Sequence, residues 1–426
     1  AVTDILCFED GEVLATASGE GIYHSESGAP GTFSVVSSDV FPEEFQKVEI
    51  ANCAAQVDVV YAAFESPDRN EGAILFCVSH DRGQTWTTRD TPDTGPSYNR
   101  YCFMLAVHPS NPQFVLCGGK FPEFSHDGGA SWQRARNTHN DYHVLATFHD
   151  NTDALIVGND GGVYEYRWSD PSGTTTDLND GYHVTQFYVG DFGPTGDLVI
   201  GGTQDNGTCR LNAGNNRIVN GGDGTFCHIS RQDANVAYSS AQYGKMFRAE
   251  DFLADEPSWT SISVSGAMNS EGYKFLNPYE MNRVDARQLY CRTNEAIWRS
   301  LDGGQNWTRL SAGEIDYLYA IRCSREDDPT MYFGGAEARI LRVDHAASAV
   351  AGSEQDLSET APAEVTTDFL GTIAIHPEDP GTILVGFMNT VDRARAWKIR
   401  EADTDSPTWV SVSGNLPAAL PVNSLE

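Results

Sequence analysis

Lysine is nearly missing from this chain: five in 426 residues, at Lys47, Lys120, Lys245, Lys274 and Lys398. Positive charge is scarce altogether, with 28 Lys and Arg against 60 Asp and Glu and a net charge of -32. A surface of that sign repels nucleic-acid phosphates and anionic membranes, so neither is an expected partner. No apolar run approaches the roughly 18 residues that span a bilayer, which argues against membrane insertion. There is no CxxC, no Cys/His metal spacing, no phosphate loop, no serine-nucleophile motif and no heptad pattern. No cofactor or metal is therefore expected; a structural or surface cation is the one bound species the acidity would suit. Nine cysteines is an odd number, so they cannot all pair within the chain. Cys7, Cys53, Cys102, Cys227 and Cys323 fall in apolar segments and read as small buried hydrophobes. No leader is visible: Ala1 runs straight into the strand-like "VTDILCF", after removal of a leader or of an initiator Met.

Acidity with little lysine is the composition of a protein working in high salt, where screening relieves self-repulsion. The chain also holds 40 Gly, and 11% of it is aromatic. Short apolar runs such as "DALIVGN", "DLVIGGT" and "TILVGF" alternate with Gly, Asn, Asp and Pro, which predicts an all-β fold with tight turns.

One octet recurs: "SHDRGQTW" at Ser79–Trp86, "SHDGGASW" at Ser125–Trp132 and "SLDGGQNW" at Ser300–Trp307. Aligning on it exposes a unit of about 45 residues, the range of a propeller blade. First strands are expected near Val2, Lys47, Tyr101, Tyr142, His183, Thr225, Lys274, Tyr317 and Gly371. The expected architecture is a single large β-propeller of four-stranded blades over residues 1–426. Nine repeats are counted, within a range of eight to ten, and residues 421–426 are left as a candidate closing strand. The octet suits the hairpin between third and fourth strands. Asp81, Asp127 and Asp302 would accept turn amides, and Trp86, Trp132 and Trp307 would pack beneath.

This octet resembles the Asp box, or BNR repeat, of sialidases, sortilin-type receptors and xyloglucanases; "SESGAPGTF" from Ser25 resembles a decayed copy. "VGNDGGVYEY", "GGTQDNGT" and "NGGDGTF" add a likeness to the sortilin-related and xyloglucanase-like branch, over roughly residues 100–310. The resemblance implies a propeller whose boxes lie away from any active centre. It constrains function weakly, because one fold hosts many functions.

The turn after the second strand repeatedly carries an acid: Glu20, Glu65, Asp160, Asp205, Glu295 and Glu337. Equivalent places in a propeller fall on one circle, so these acids form a candidate ring for cations or sugars. Turn chemistry alone also explains them. His143 and His183 open adjacent blades and are further ligand candidates; His108, His376, His80 and His126 read as structural. In xyloglucanase-like propellers a catalytic Asp sits in a turn that "GNDGG" at Asp160 resembles. Two carboxyls at a catalytic separation would be needed, so Asp160 with Asp205 or Asp223 is the hydrolase alternative. The partner-acid motif and the N-terminal motif of sialidases are not recognisable. The first reading is therefore a non-enzymatic propeller recognising a protein or glycan. Its setting would be extracellular, at a cell surface or in a virion, within a larger assembly. A propeller that helps assemble photosystems is a third class that no residue singles out.

Overall fold

The computed structural model describes residues 1–98, 101–147, 153–170, 172–181, 185–212, 216–262, 270–311, 318–365, 368–388, 396–414 and 422. Its strands pair into nine four-stranded antiparallel sheets, each joined in the order first, second, third, fourth. That is the blade of a β-propeller, and the chain is an all-β protein of this class. The first strands are Val2–Cys7, Val48–Cys53, Met104–Val107, Tyr142–Thr147, Phe187–Phe192, Cys227–Ile229, Tyr279–Met281, Leu318–Cys323 and Leu370–His376. They define blades 1 to 9, and nine is the number the repeat predicts. The chain divides into two compact units, Ala1–Val184 and Thr185–Glu426. Blades 1–4 lie in the first and blades 5–9 in the second.

Within each unit the core lies between consecutive blades. Phe8, Leu14 and Ile22 of blade 1 pack with Val48, Val60 and Phe64 of blade 2. Tyr290 and Ile297 of blade 7 pack with Ile321, Phe333 and Leu341 of blade 8. A sheet buried on both faces needs apolar residues along its whole length, and the second strand Val115–Gly118 is buried at every position. Fourth strands are short and exposed, as at Thr87–Arg89. Such brevity leaves little edge to pair wrongly.

None of the nine cysteines is bonded to another. Cys53, Cys102 and Cys227 are buried and Cys323 is half-buried, as small hydrophobes should be. Cys7 is exposed: it ends the first strand of blade 1, which has no earlier blade of its unit to cover it. Of the candidate closing strand only Val422 is described; its amide donates to Phe387 O at 3.0 Å, in blade 9. The expected starts at His183 and Tyr317 lie outside the described residues, one to four positions before the observed strands.

The three octets adopt one geometry. In each, the Ser hydroxyl donates to the Asp two residues on, at 2.7, 2.7 and 2.8 Å. It also accepts the amide four residues on: Gly83, Gly129 or Gly304. The Asp then accepts the amide and side chain of Thr85, Ser131 or Asn306. Partial burial pushes these carboxyls up, but the turn donors outweigh it and hold all three below the ordinary range. Trp86 and Trp307 donate their ring N–H to carbonyls within their own octets, and Trp132 to Asp90 O. At "SESGAPGTF" the hydroxyl of Ser25 still accepts the Gly28 amide at 2.9 Å, although no Asp follows.

Candidate functional site

A blade has a leading end, where its first strand begins and its second strand turns into the third, and an opposite, trailing end. Five blades share a defect at the leading end. Tyr142 pairs with Asn159 and Val144 with Gly158, so His143 is the extra residue of a bulge. The same shift leaves Tyr188 extra in blade 5, Tyr319 in blade 8 and Gly371 in blade 9. In blade 1 the extra residue is Thr3. A bulge redirects one side chain out of the alternating pattern.

In blade 4 the effect is direct. His143 Nε2 lies 2.5 Å from Asp160 Oδ1, and its Nδ1 lies 3.1 Å from Tyr101 O. The Tyr101 ring meets the imidazole edge to face at 4.6 Å and is 61% exposed. Asp141 lies close by: burial first, and then the charge of Asp160, push its carboxyl up, against the pull of Lys120. Two residues proposed separately from the sequence thus form one His–Asp pair, half open to solvent.

In blade 5 the turn "QDNG" places Asp205 at φ +59 and Gly207 at φ +76. The Asp205 amide donates to Asp223 Oδ1 at 3.0 Å, and the Asp223 amide donates to Gln242 Oε1 at 3.1 Å. Three successive leading-end turns are therefore laced together across blades 5 and 6. Tyr188 faces this group: burial, then Asp223 and Asp205, push its phenol up.

The remaining acids occupy less uniform places. Glu20 is exposed and accepts the Tyr23 hydroxyl at 2.8 Å. Glu295 and Glu337 are exposed, Glu337 with φ +55. Glu65 is fully buried, its Oε1 accepting the Ser97 hydroxyl at 2.5 Å, so it turns inward rather than toward a rim. His183 lies outside the described residues. Among the described residues no group of three or more His, Cys, Asp or Glu is arranged to hold a metal ion.

Exposed aromatic rings at the leading end escape a reading of the sequence. In the second unit Phe187 is 47% exposed, Tyr243 60%, Phe275 41%, Tyr319 42% and Phe369 46%. Tyr243 and Phe275 meet edge to face at 5.3 Å, and Tyr319 and Phe369 at 6.4 Å. Each pair joins adjacent blades. An aromatic at a strand start reads as core; only the bulges and turns turn these outward.

No family model and no curated protein matches the chain. Among solved structures it is similar to a GH74 enzyme of Niastella koreensis, at 12% identity over 96% of this chain and 85% of that one, TM-score 0.34. It is also similar to YCF48 bound to D1 peptide, at 11% identity over 70% and 93%, TM-score 0.32. A third is the GH74 xyloglucanase from Xanthomonas campestris, at 14% over 98% and 68%, TM-score 0.33. Such remote likenesses add nothing to the blade pattern itself.

Proposed function

We propose that this protein is a recognition propeller whose leading end binds a protein or a glycan. One observation carries the reading: five exposed aromatic rings gathered at the leading end of the second unit, two pairs of them bridging adjacent blades. Exposed aromatic area of this kind is held at binding surfaces, where rings supply contact at low entropic cost. The acids Asp205, Asp223, Glu295 and Glu337 at the same end supply acceptors for hydroxyls or amides. The octets are read within this proposal as Asp boxes of the BNR type, and their shared Ser–Asp–Gly geometry supports that. An extracellular or virion setting in high salt belongs to the same proposal, supported by the charge of -32. So does a single propeller over residues 1–426; one cooperative calorimetric transition supports it, and two separate ones overturn it.

Affinity electrophoresis on soluble β-glucans, together with a peptide array, tests the binding. Retardation or peptide capture should fall at least tenfold in Tyr243→Ala and Phe369→Ala, with the melting temperature unchanged. Binding that survives both substitutions overturns the assignment of the surface. The hydrolase alternative uses Asp160 with Asp205 or Asp223; the Asp205 amide that Asp223 accepts commits the Asp223 carboxylate to its turn and counts against it. Release of reducing ends from β-glucan that vanishes in Asp160→Asn would promote it above recognition.

A further inference from the structure

The two aromatic corners at the leading end of the second unit differ in the charge beside them. Tyr243 and Phe275 each have a lysine close in the chain, Lys245 and Lys274. The corner of Tyr319 and Phe369, between blades 8 and 9, has no lysine in its segments. Tyr319 is the extra residue of the blade 8 bulge, opposite Gly334 and Gly335 of the second strand. The turn Ala336–Ala338 follows those glycines, and the Ala338 amide donates to Asp368 O at 2.7 Å. Phe369 comes next in the chain, and its carbonyl accepts the Met388 amide at 2.9 Å. Met388, exposed just past the second strand of blade 9, lies so close over Gly371 that a Cβ there would strike it. Backbone bonds thus hold bulge, turn and link in fixed relation before any ligand arrives.

Glu337 stands at the tip of that turn, exposed to solvent. It and Ala338 both take left-handed backbone, φ +55 and +52, where blade 6 places Tyr243 and Gly244. An alanine there is strained, and such strain persists only where the surroundings fix it. The bond from Ala338 to Asp368 supplies that fixing. The cations around the corner are already engaged. Arg339, of the same turn, pairs with Asp356 at 3.1 Å, and Arg309 pairs with Glu271 at 3.4 Å. Arg292 of blade 7 is buried and donates to the carbonyls of Thr293 and Leu318. Beyond the two ion pairs, the described charges here are Glu295, Glu337, Glu364 and Asp368 against Arg292. Glu359 stands outside the corner, beside Thr360, which meets Trp409 of the fourth strand of blade 9. Segments 312–317 and 389–395, counted from sequence alone, add three acids and two arginines. Negative charge is therefore in excess.

We infer that the corner of Tyr319 and Phe369 receives a basic side chain, arginine ahead of lysine, from an exposed segment of a protein partner. This rests on the leading end of the second unit being a recognition surface, and it names the chemistry of the partner. The two rings cross at 70° with centroids 6.4 Å apart. A flat sugar ring finds no shared platform in such a corner, whereas a cation is attracted to either ring face. A guanidinium can lie on one ring and turn its N–H edge toward the Glu337 carboxylate. Phe369 has no polar atom with which to bond a hydroxyl. The excess of acids draws a positive group toward the corner and repels acidic segments.

An array of immobilised peptides tests this, each carrying one Arg, Lys, citrulline or Glu in an otherwise uncharged sequence. It is probed with the whole chain in about 0.3 M potassium chloride, which screens the general field of the acidic surface. Capture should concentrate on the Arg peptides, with Lys weaker and citrulline, equal in shape but uncharged, about fivefold weaker or more. Fluorescence anisotropy on the best Arg peptide then follows the variants. Tyr319→Ala should weaken it about fivefold, and Tyr319→Phe should bind as the parent does, since the ring and not the hydroxyl meets the cation. Glu337→Gln should also weaken it. Asp327→Asn removes the same charge at the trailing end of blade 8 and should not. Melting temperatures should be unchanged in all four variants. Capture indifferent to citrulline, an unchanged Tyr319→Ala, or an equal loss in Asp327→Asn overturns the corner. Recognition at the leading end then still stands if Tyr243→Ala and Phe369→Ala abolish capture. Retardation on β-glucan without peptide capture overturns the basic partner in favour of a glycan, and binding of neither overturns both readings.

Discussion

At the scale of single residues, the acids of this protein divide by what surrounds them. Asp302 is committed to its turn, accepting Ser300, Asn306 and the Asn306 amide. Asp302→Ala should therefore lower the denaturant midpoint by about 1–2 kcal/mol of stability, the worth of lost hydrogen bonds to a charged group, and leave ligand binding alone. Glu49 is the opposite case. It sits on the first strand of blade 2, 2.6 Å from Lys47, and burial pushes it up to about 7; Lys47 opposes that and Asp4 reinforces it. The unfolded chain releases this proton near 4.5, the folded protein near 7. Between those values the folded state holds the extra proton, so stability is full below about 4.5 and drains as pH rises through 7. Glu49→Gln should remove that loss, of order 3 kcal/mol, and flatten the profile measured by urea melts from pH 4.5 to 8. An unchanged slope would show that Glu49 stays ionised in the fold.

At the scale of strands and blades, a row of arginines joins blade to blade in the second unit. Arg210 donates to the carbonyls of Phe252 and Ala254, Arg299 to Ala346 and Ala349, and Arg342 to Ala402 and Thr404. Each stands on a third strand and reaches the third-to-fourth turn of the next blade. Arg342 is 2% exposed and also binds Asp344 and Gln355. Truncating a buried, hydrogen-bonded cation leaves carbonyls and a carboxylate without donors. Arg342→Ala should cost about 3 kcal/mol, and Arg342→Lys should recover only part, since an ammonium cannot serve both sides of the strand. Urea melts of the two variants check this; equal stability of alanine and parent would remove the rivet. The blades were legible because their pattern is local. A two-residue alternation, Gly-rich turns and a 45-residue period put most expected strand starts within five residues of the observed ones. The rivets were not legible, because "CRLN", "IWRS" and "ILRV" read as ordinary strands until the next blade is in place. The bulges did leave a signal. Gly158, Gly202, Gly334 and Gly386 interrupt second strands, and each faces the residue just past the bulge. A glycine inside a strand marks such a place. Read that way, "YHV" and "GND" would have placed His143 against Asp160.

At the scale of the whole molecule, charge dominates. The described buried residues include seven Asp or Glu and three Arg, so most of the net -32 lies on positions that solvent reaches. Like charges spread over such a surface repel through solvent, and the cost depends on ionic strength. The Debye length falls from about 10 Å at 0.1 M salt to about 3 Å at 1 M, shorter than most spacings between surface carboxylates. Folding gathers these charges and unfolding disperses them, so screening favours the folded state. Pairs with a buried partner, such as Arg342 with the half-buried Asp344, are screened less than surface charges and should offset little of the gain. The melting temperature should therefore climb by several degrees between 0.05 M and 2 M potassium chloride. Chloride is the informative salt, because sulfate also strengthens apolar burial by exclusion from the surface. A second arm separates screening from any general salt effect. Replacing four exposed acids remote from both candidate sites, Glu9, Asp68, Asp255 and Glu359, by Gln or Asn should raise the melting temperature in low salt and shrink the difference between low and high salt. A flat or falling salt profile in the parent would remove the high-salt reading, and an undiminished one in the neutralised variant would assign the effect to something other than repulsion.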